Sequence, residues 1–580
     1  MISGSFAIND NELRSRTSRS KNISAMKLAI LSHLELLYGR PAAAEMEPRL
    51  AALTDPFRNP LPRPDPARAE WLTEKDALFI TYADQVREPD RSPLQTLADF
   101  AAQHLRGVVS GVHLLPFYPW SSDDGFSVKD FFAVDPAFGT WDDLARLRPH
   151  FNLMFDAVFN HMSAQGEWFQ RFLAGDQQYR DFFVTVEGNP NLSQVVRPRA
   201  LPLLTEFQTA SGPKKVWTTF SADQVDLNFK NPDVLLAALR ALLFYVERGA
   251  RFIRLDAIAY LWKDIGTPCI HLPQTHRVIQ LMRAVLDEVA PHVMLITETN
   301  VPHRDNIAYF GDGTNEAQLV YNFSLPPLTL HSLQTGDAAA LTRWAQSLAL
   351  PGERVTWFNF LASHDGIGVN PARGILSEAE IDALVARTLA HGGFVSCKHN
   401  ADGSASPYEM NINYLDALSN PAAGEPPELA ARKFLTAQAI MLSLQGVPGI
   451  YFHSLFGSRG DRAGAKASGI KRRINRQKLA RADLENELND SSSLRARVFA
   501  GFRELLALRR AHRAFAPAVP QRVLSLDARV FSVLRESVDG RDRMLCLHNV
   551  SGQPVRVEAR DCGFGSCSLE AFETRWMTNS

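Results

Sequence analysis

The chain has 580 residues, of which 45% are hydrophobic and 22% charged, and its formal net charge is −1. This composition is ordinary for a globular protein, and the near-neutral charge gives no global attraction to nucleic acid or to an anionic membrane. No apolar run approaches the length of a membrane span, and five scattered cysteines in no disulfide or zinc pattern favour a cytoplasmic location.

The first 75 residues (1–75) are expected to form a tail followed by a helical extension. Residues 1–22 are polar and contain acidic side chains ahead of any apolar stretch, so they do not resemble a signal peptide. They could be a disordered tail, or translation could start at Met26. From Met26 to about Leu72 the spacing of leucines predicts helices, which a proline-rich stretch at 59–64 interrupts.

A regular alternation of short apolar runs and helical patterns begins near residue 77. The runs are rich in β-branched and aromatic residues, which is typical of buried parallel strands. Val278, Met282 and Val285 lie on one face of a helical pattern between two of these runs. The eight runs are 77–84, 111–117, 151–156, 252–256, 293–298, 319–323, 357–361 and 449–453. Eight strands with intervening helices predict an α/β fold, a (β/α)8 TIM barrel over residues 76–514.

Two gaps in this alternation are too long for ordinary connections between a strand and a helix. They span residues 161–235 and 366–421, and we expect each to be an inserted lobe that caps the mouth of the barrel. Beyond about residue 515 the pattern changes to short alternating strands, such as 530–534 and 544–547. This change predicts a small C-terminal β domain over residues 515–580.

Three acidic residues, Asp256, Glu298 and Asp365, follow three of the predicted strands. Glycoside chemistry needs one carboxylate to attack the sugar, a second kept protonated, and a third to hold sugar hydroxyls as positive charge develops. Arg254 lies two residues before Asp256, so both side chains share one face of the strand, and the guanidinium is expected to keep Asp256 ionised. Taken alone, this pair is explained equally well by a structural ion pair.

Short segments of the chain resemble the ordered motifs of the α-amylase superfamily. Those segments are Asp156-Ala157-Val158-Phe159-Asn160-His161, Arg254-Leu255-Asp256, Glu298 and His364-Asp365. Further segments resemble the sucrose phosphorylase branch of that superfamily, and the resemblance covers about residues 78–508. The segments typical of this branch are 363–369, 446–449 and 472–476.

Within this branch the chain most resembles the glucosylglycerate phosphorylases, in the helical extension before the barrel and in residues 116–126 and 296–303. Sucrose-cleaving members usually have a histidine two residues after the catalytic acid, where this chain has Asn300. They usually have a glutamine after the loop tyrosine, where this chain has Glu409 after Tyr408. Both departures argue against sucrose as the substrate.

The resemblance implies a retaining phosphorylase that transfers the glucosyl unit of 2-O-α-D-glucosylglycerate to phosphate, which gives α-D-glucose 1-phosphate and D-glycerate. It implies Asp256 as the nucleophile, Glu298 as the general acid/base and Asp365 as the group that stabilises the transition state. Arg197 and Tyr408 are implied to lie on mobile loops near the phosphate or the acceptor. The other implied substrate-binding residues are Asp123, Phe126, His161, Arg254, Tyr260, Asn300, His364 and Arg472.

The expected partners are a small-molecule glucoside and inorganic phosphate. No cofactor and no metal are expected, because no acidic cluster has the spacing of a calcium loop, and Asn160 is expected to make a structural hydrogen bond. Phosphate and glycerate are anions, so their binding sites need positively charged side chains. About half of the six candidate side chains are expected to be ordinary surface residues with no part in binding. The candidate cations are Arg197, Arg199, Arg373, Lys398, Arg472 and Arg476. The chain is expected to be a monomer or a homodimer.

The sequence leaves several other functions open. A phosphorylase of sucrose, of sucrose 6'-phosphate or of glucosylglycerol shares these motifs, and so does a retaining α-glucoside hydrolase. Phosphate-dependent release of glucose 1-phosphate would separate a phosphorylase from a hydrolase. A non-enzymatic amylase-like subunit is disfavoured because the chain retains all three acids.

Overall fold

The structure, a computed structural model, describes residues 27–58, 71–199, 201–399 and 404–578. The tail of the first 25 residues and the proline-rich stretch at 59–64 lie outside these residues. Among the helices that are described, none is both long enough and apolar enough to cross a membrane.

The helices and strands alternate from β1 onward in the order that the sequence predicts. The helices are α1 (27–38), α2 (Arg40–Arg58), α3 (Pro93–His104), α4 (Trp141–Ala145), α5 (Glu167–Leu173), α6 (Pro232–Glu247), α7 (Pro273–Val289), α8 (His303–Asn306), α9 (Leu325–Thr335), α10 (Ala339–Gln346), α11 (Glu378–Ala390), α12 (Tyr414–Leu418), α13 (Pro427–Ser443), α14 (Phe452–Leu455), α15 (Arg462–Ser468), α16 (Arg481–Asn489) and α17 (Leu494–Ala511). The strands are β1 (Leu78–Thr81), β2 (Val86–Arg87), β3 (Gly111–Leu114), β4 (Asn152–Ala157), β5 (His161–Ser163), β6 (Thr185–Val186), β7 (Leu204–Thr209), β8 (Gly212–Trp217), β9 (Gln224–Asp226), β10 (Ala250–Leu255), β11 (Met294–Thr297), β12 (Leu319–Tyr321), β13 (Thr356–Asn359), β14 (Ile367–Gly368), β15 (Phe394–His399), β16 (Ala405–Asn411), β17 (Val447–Tyr451), β18 (Leu479–Ala480), β19 (Gln521–Asp527), β20 (Val530–Glu536), β21 (Arg543–Asn549), β22 (Val555–Glu558), β23 (Ser566–Leu569) and β24 (Thr574–Thr578).

Eight parallel strands close into a barrel in the order β1, β3, β4, β10, β11, β12, β13 and β17, and β17 pairs again with β1. Each strand overlaps one of the eight predicted runs, so the predicted (β/α)8 barrel is confirmed. Leu78, Phe79 and Ile80 of β1 are all buried, because a strand of such a barrel is covered on both faces. The register pairs Arg254 of β10 with Asp156 of β4, which brings two charged groups side by side.

The helices cover the outside of the barrel with the apolar faces that the sequence predicts. Val278, Met282 and Val285 of α7 are completely buried. Helix α6 begins at Pro232, and the side chain of Asn231 before it accepts a hydrogen bond from the backbone N–H of Asp233. The N-terminal helices pack on this layer, because α2 contacts both α6 and α7.

Antiparallel sheets fill the long gaps between barrel elements. The pair β5–β9 and the sheet β6–β8–β7 lie between β4 and α6, and the sheet β14–β16–β15 follows β13. After α17 the sheet β19–β20–β21–β24 and the pair β22–β23 enclose a second apolar core, which confirms the predicted C-terminal β domain. The boundaries of the domains at residues 75 and 515 and of the two lobes, 161–235 and 366–421, stay predictions.

Candidate active site

A cavity of about 530 Å³ opens at the carboxyl ends of the barrel strands. Asp256, Glu298 and Asp365 all line it, as the sequence predicts from their positions at strand ends. Both segments that were predicted as lobes also contribute side chains to its wall. The other predicted substrate-binding residues in the lining are Asp123, Phe126, His161, Tyr260, Asn300, His364, Tyr408 and Arg472.

Arg254 lies beneath the cavity and contacts three carboxylates at once. Its Nη1 lies 2.5 Å from Asp156 Oδ1 and 2.7 Å from Asp256 Oδ1. Its Nη2 lies 3.9 Å from Glu298 Oε1. The shared face predicted for Arg254 and Asp256 is therefore confirmed, and one guanidinium connects the two carboxyl groups that glycoside chemistry requires. Because its side chain is only 3% exposed, water screens these interactions little.

Burial, more than Arg254, determines how Asp256 and Glu298 titrate. Burial raises the pKa of Asp256 to about 8, because the guanidinium that opposes it is shared with Asp156. Burial also raises the pKa of Glu298 above its usual range. The sequence led us to expect that Arg254 keeps Asp256 ionised. The structure does not bear out this expectation, because the contact with Arg254 does not offset the effect of burial on Asp256. The raised pKa values of both carboxyl groups favour one proton shared by the pair, and the shorter distance from Arg254 to Asp256 argues for Glu298 as the group that carries it.

Asp365 has a different electrostatic environment from the other two acids. Its Oδ1 lies 2.7 Å from Arg472 Nη1, 3.2 Å from Arg476 Nη2 and 3.5 Å from His364 Nε2. Burial alone would raise the pKa of Asp365, but Arg472 and Arg476 outweigh it and hold that pKa well below its usual range. Asp365 is therefore ionised at neutral pH.

Glu409 fixes the position of Arg472, a role that the sequence gave no sign of. Arg472 Nε donates to Glu409 Oε1 at 3.0 Å and Nη2 donates to Oε2 at 2.6 Å, which is a paired, charge-assisted contact. Glu409 Oε1 also accepts the backbone N–H of Gly366 at 2.7 Å. A Cβ on Gly366 would lie 2.7 Å from Glu409 and 2.5 Å from the carbonyl oxygen of Met410, so only glycine fits there.

An aromatic wall lies beside the three acids. The rings of Phe126 and His364 stack with their centroids 4.7 Å apart and their planes 5° apart. Burial lowers the pKa of His364 to about 3, so this ring is neutral. His161 Nε2 lies 2.9 Å from the carbonyl oxygen of Phe126. These groups offer a flat apolar surface and neutral hydrogen-bonding groups, which suit an uncharged sugar ring.

Two arginines that are close in sequence lie in different places. Arg199 lines the cavity, its Nη2 donates to Asp123 Oδ2 at 2.8 Å, and its guanidinium lies 5.5 Å from the centre of the Phe220 ring. The side chain of Arg197 donates to the backbone oxygen of Leu201 and does not line the cavity. Arg199 was among the candidate cations, whereas Arg197 was the arginine assigned to substrate binding.

Asn160 belongs to a buried polar cluster behind His161. Lys263 Nζ donates to Asn160 Oδ1 at 2.7 Å and forms an ion pair with Asp226 Oδ2 at 2.6 Å. Asn160 Nδ2 donates to the same Asp226 oxygen at 3.1 Å. The ammonium group of Lys263 thus lies between Asn160 Oδ1 and Asp226 Oδ2, the two oxygens that could otherwise coordinate a metal ion. Among the described residues, no group of three or more His, Cys, Asp or Glu side chains is arranged to hold a metal ion.

Known proteins resemble this chain in both sequence and fold. Residues 105–367 match the alpha-amylase catalytic domain. The chain is 54% identical over 532 residues to the glucosylglycerate phosphorylase of Allomeiothermus silvanus, which covers 92% of this chain and 94% of that protein. It is 52% identical to the enzyme of that name from Spirochaeta thermophila, over 89% of this chain and 88% of the relative. The solved structure of sucrose 6F-phosphate phosphorylase from Thermoanaerobacter thermosaccharolyticum has a similar fold, with a TM-score of 0.73 and 22% identity over 88% of this chain and 99% of its own.

Proposed function

The chain belongs to the α-amylase superfamily and, within it, to the glucosylglycerate phosphorylases, and we infer that it transfers a glucosyl unit from 2-O-α-D-glucosylglycerate to inorganic phosphate. The products are α-D-glucose 1-phosphate and D-glycerate. The observation that carries this conclusion is the identity of at least 52% to two such enzymes over at least 88% of each chain. The cavity supports it, because it contains the carboxyl groups that a retaining glycosyl transfer needs.

In the first half-reaction we propose Asp256 as the nucleophile and Glu298 as the acid. The carboxylate of Asp256 attacks the anomeric carbon while the bond from that carbon to the glycerate oxygen breaks, and Glu298 gives its proton to that oxygen. A β-glucosyl ester on Asp256 results. The contact of both carboxyl groups with Arg254 is consistent with the spacing of about 5 to 5.5 Å that retaining pairs have.

In the second half-reaction, phosphate enters from the side that glycerate has left. A phosphate oxygen attacks the anomeric carbon, the ester bond to Asp256 breaks, and Glu298, now a carboxylate, accepts the phosphate proton. Two inversions give α-D-glucose 1-phosphate with net retention. Asp365 stays ionised throughout, so it can stabilise the positive charge that develops on the sugar ring in both steps.

Arg199 is the cation that we assign to the anionic partners of the reaction. Its side chain is 28% exposed at the cavity and pairs with Asp123, whose oxygens are also near Arg476. Arginine binds phosphate and carboxylate with paired hydrogen bonds. Because Asp123 keeps Arg476 as a second partner, Arg199 can turn to phosphate or glycerate without leaving a buried carboxylate unpaired.

A phosphorolysis assay over four glucosides tests the function. The chain is incubated with glucosylglycerate, sucrose, sucrose 6'-phosphate or glucosylglycerol, each with and without phosphate, and both glucose 1-phosphate and free glucose are measured. We expect phosphate-dependent glucose 1-phosphate, with the highest kcat/KM for glucosylglycerate. Free glucose at a rate independent of phosphate would identify a hydrolase, and a higher kcat/KM for another glucoside would reassign the substrate.

The location and assembly of the protein are a further part of this proposal. All five cysteines are free thiols, as a reducing compartment favours, and we propose a cytoplasmic enzyme. We propose that it works as a monomer or a homodimer, because Asp256, Glu298 and Asp365 of a single chain already meet in one cavity. Light scattering of the purified protein at working concentration measures which of the two forms is present.

A further inference from the structure

Three successive residues before Phe126 have a left-handed backbone and form a strained turn. Their φ angles are 54° at Asp123, 49° at Asp124 and 112° at Gly125. Glycine adopts such angles freely, whereas a residue with a Cβ is strained by them. The turn carries Asp123 and Phe126 into the wall of the active-site cavity, and Asp124 does not line that cavity. Strain of this kind persists only where surrounding contacts hold the backbone in place.

The side chain of Asp124 anchors this turn to two arginines. Its Oδ2 lies 2.8 Å from Arg476 Nη1, and its Oδ1 lies 3.1 Å from Arg473 Nη2. Burial opposes the charge on Asp124, but the two guanidinium groups outweigh it and keep its pKa below its usual range. The side chain of Arg473 is 41% exposed, whereas that of Arg476 is 2% exposed. Arg473 therefore contacts Asp124 from the surface, and Arg476 contacts it from the interior.

Arg476 connects Asp124 to residues that line the cavity. Its Nε donates to the backbone oxygen of His364 at 2.9 Å, and its Nη2 lies 3.2 Å from Asp365 Oδ1. Its Nη1, which contacts Asp124, also lies 3.6 Å from Asp123 Oδ1. One buried guanidinium therefore fixes the segments that carry Asp123 and Asp365 relative to each other. Of the three carboxylates that it contacts, Asp124 has the shortest distance and is the one outside the cavity lining.

We propose that Asp124 is a positioning residue of the glycosyl transfer, which acts on the glucosyl subsite through Arg476. While Asp124 is ionised, it draws part of the charge of Arg476 to a carboxylate that does not face the sugar. Without that charge, Arg476 would move closer to Asp123 and Asp365, because opposite charges attract strongly where water is excluded. Both carboxylates would then be drawn away from the sugar hydroxyls. This inference rests on the proposed function, in that a glucosyl unit occupies this part of the cavity.

Two substitutions of Asp124 and one control test this role. Asp124→Asn keeps the size of the side chain and removes its charge. Asp124→Gly removes the side chain but suits the left-handed backbone, so this variant should fold at least as well as the unmodified chain. The control is Arg473→Ala, which removes the other arginine that contacts Asp124 and leaves Arg476 in place. Thermal unfolding of each variant checks that the barrel is intact.

The substrate is α-glucosyl fluoride with phosphate as the acceptor, and fluoride release is measured. This donor reports on the glucosyl subsite whichever glucoside is the natural substrate, so reassignment of the substrate by the phosphorolysis assay would leave the test valid. We expect Asp124→Asn and Asp124→Gly to lower kcat/KM at least about tenfold, because small displacements of the groups that orient a substrate slow the reaction strongly. Arg473→Ala should keep kcat/KM within about twofold of the unmodified chain.

A double-mutant cycle with Arg476→Lys tests whether Asp124 acts through Arg476. Lysine keeps the charge but presents a single ammonium group, which cannot reproduce the spread of contacts that a guanidinium makes. In the Arg476→Lys background we expect Asp124→Asn to cause less than about threefold further loss, because the contact through which it acts is already broken. The proposal is overturned if both Asp124 variants keep kcat/KM within about twofold, if Arg473→Ala loses as much as they do, or if the losses from Asp124→Asn and Arg476→Lys multiply.

Discussion

The most informative perturbation of the active site is the removal of the charge of Arg254, by Arg254→Gln. Arg254 Nη1 lies 2.7 Å from Asp256 Oδ1, and both side chains are largely buried. That contact places the centres of charge about 4 Å apart, and at an effective dielectric constant of about 20 a pair at this distance interacts by about 4 kcal/mol. Since one pKa unit is about 1.4 kcal/mol, the loss of Arg254 should raise the pKa values of the Asp256–Glu298 pair by up to about 3 units.

The sign of this change can be read from the pH dependence of kcat/KM. The proposed reaction needs one proton on the pair, so activity is lost at low pH when a second proton binds, and at high pH when the last proton leaves. Removing a positive charge favours protonation, so both limbs of the profile should move to higher pH. At pH 7 the variant should then lose up to about 10³-fold in kcat/KM, because the nucleophile is mostly protonated.

A matched variant, Asp156→Asn, should move the profile the other way. Asp156 raises the pKa of Asp256 by its own charge and competes for the same guanidinium. Once Asp156 is neutral, Arg254 interacts only with Asp256 and Glu298 and lowers the pKa values of this pair. Both limbs of the kcat/KM profile should therefore shift to lower pH. Thermal unfolding of both variants checks that the barrel is intact. If the two variants shift the limbs in the same direction, or if Arg254→Gln leaves them in place, the electrostatic assignment of the pair is wrong.

Three further substitutions test the roles of single residues. Asp256→Asn should abolish turnover, by at least about 10⁴-fold in kcat, and appreciable remaining activity would remove Asp256 as the nucleophile. Glu298→Gln should lower kcat about 10²- to 10⁴-fold with glucosylglycerate but far less with α-glucosyl fluoride, because fluoride departs without protonation; equal losses on both substrates would contradict the role of an acid. Arg199→Ala should raise KM for phosphate about tenfold or more, whereas Arg197→Ala, whose side chain points to the Leu201 backbone, should change it little; the reverse result would restore Arg197 as the anion-binding arginine.

The barrel could be predicted from the sequence because each of its strands is a short, uniformly apolar run that is buried on both faces. The last strand shows the limit of that signal. It was predicted at 449–453 and is observed as Val447–Tyr451, while Phe452 already begins a helix. Pro448 and the flanking glycines are residues typical of turns, and they concealed the start of the strand. The presence of each strand was therefore easier to predict than the residues at which it begins and ends.

The positions of Asp256 and Glu298 could be predicted for the same reason, since each comes directly after a barrel strand and is held in place by the barrel, whereas Asp365 lies six residues after the end of β13. Side chains on the inserted segments have no such constraint. Arg199 reaches Asp123 across 76 residues, and Gln224, whose Nε2 lies 3.2 Å from His161 Nε2, carries no motif at all. Arg197 and Arg199 both lie between β6 and β7, and only the way the β6–β8–β7 sheet packs on the barrel decides which of them enters the cavity. The local sequence does not determine this packing.

The ratio of arginines to carboxylates explains how one cavity can keep acids in two protonation states. Arg254 is shared among Asp156, Asp256 and Glu298, so the Asp256–Glu298 pair has less than one full positive charge, and the pKa values of both acids are raised. Asp365 is contacted by two guanidinium groups and retains none. The side chains of Asp256, Glu298 and Asp365 are 11%, 14% and 24% exposed, so all three are largely withdrawn from solvent. The main difference between them is the number of cations that contact each carboxylate. In the proposed mechanism, the same fold thereby provides a proton donor where the leaving group needs one and a negative charge where the sugar becomes positive.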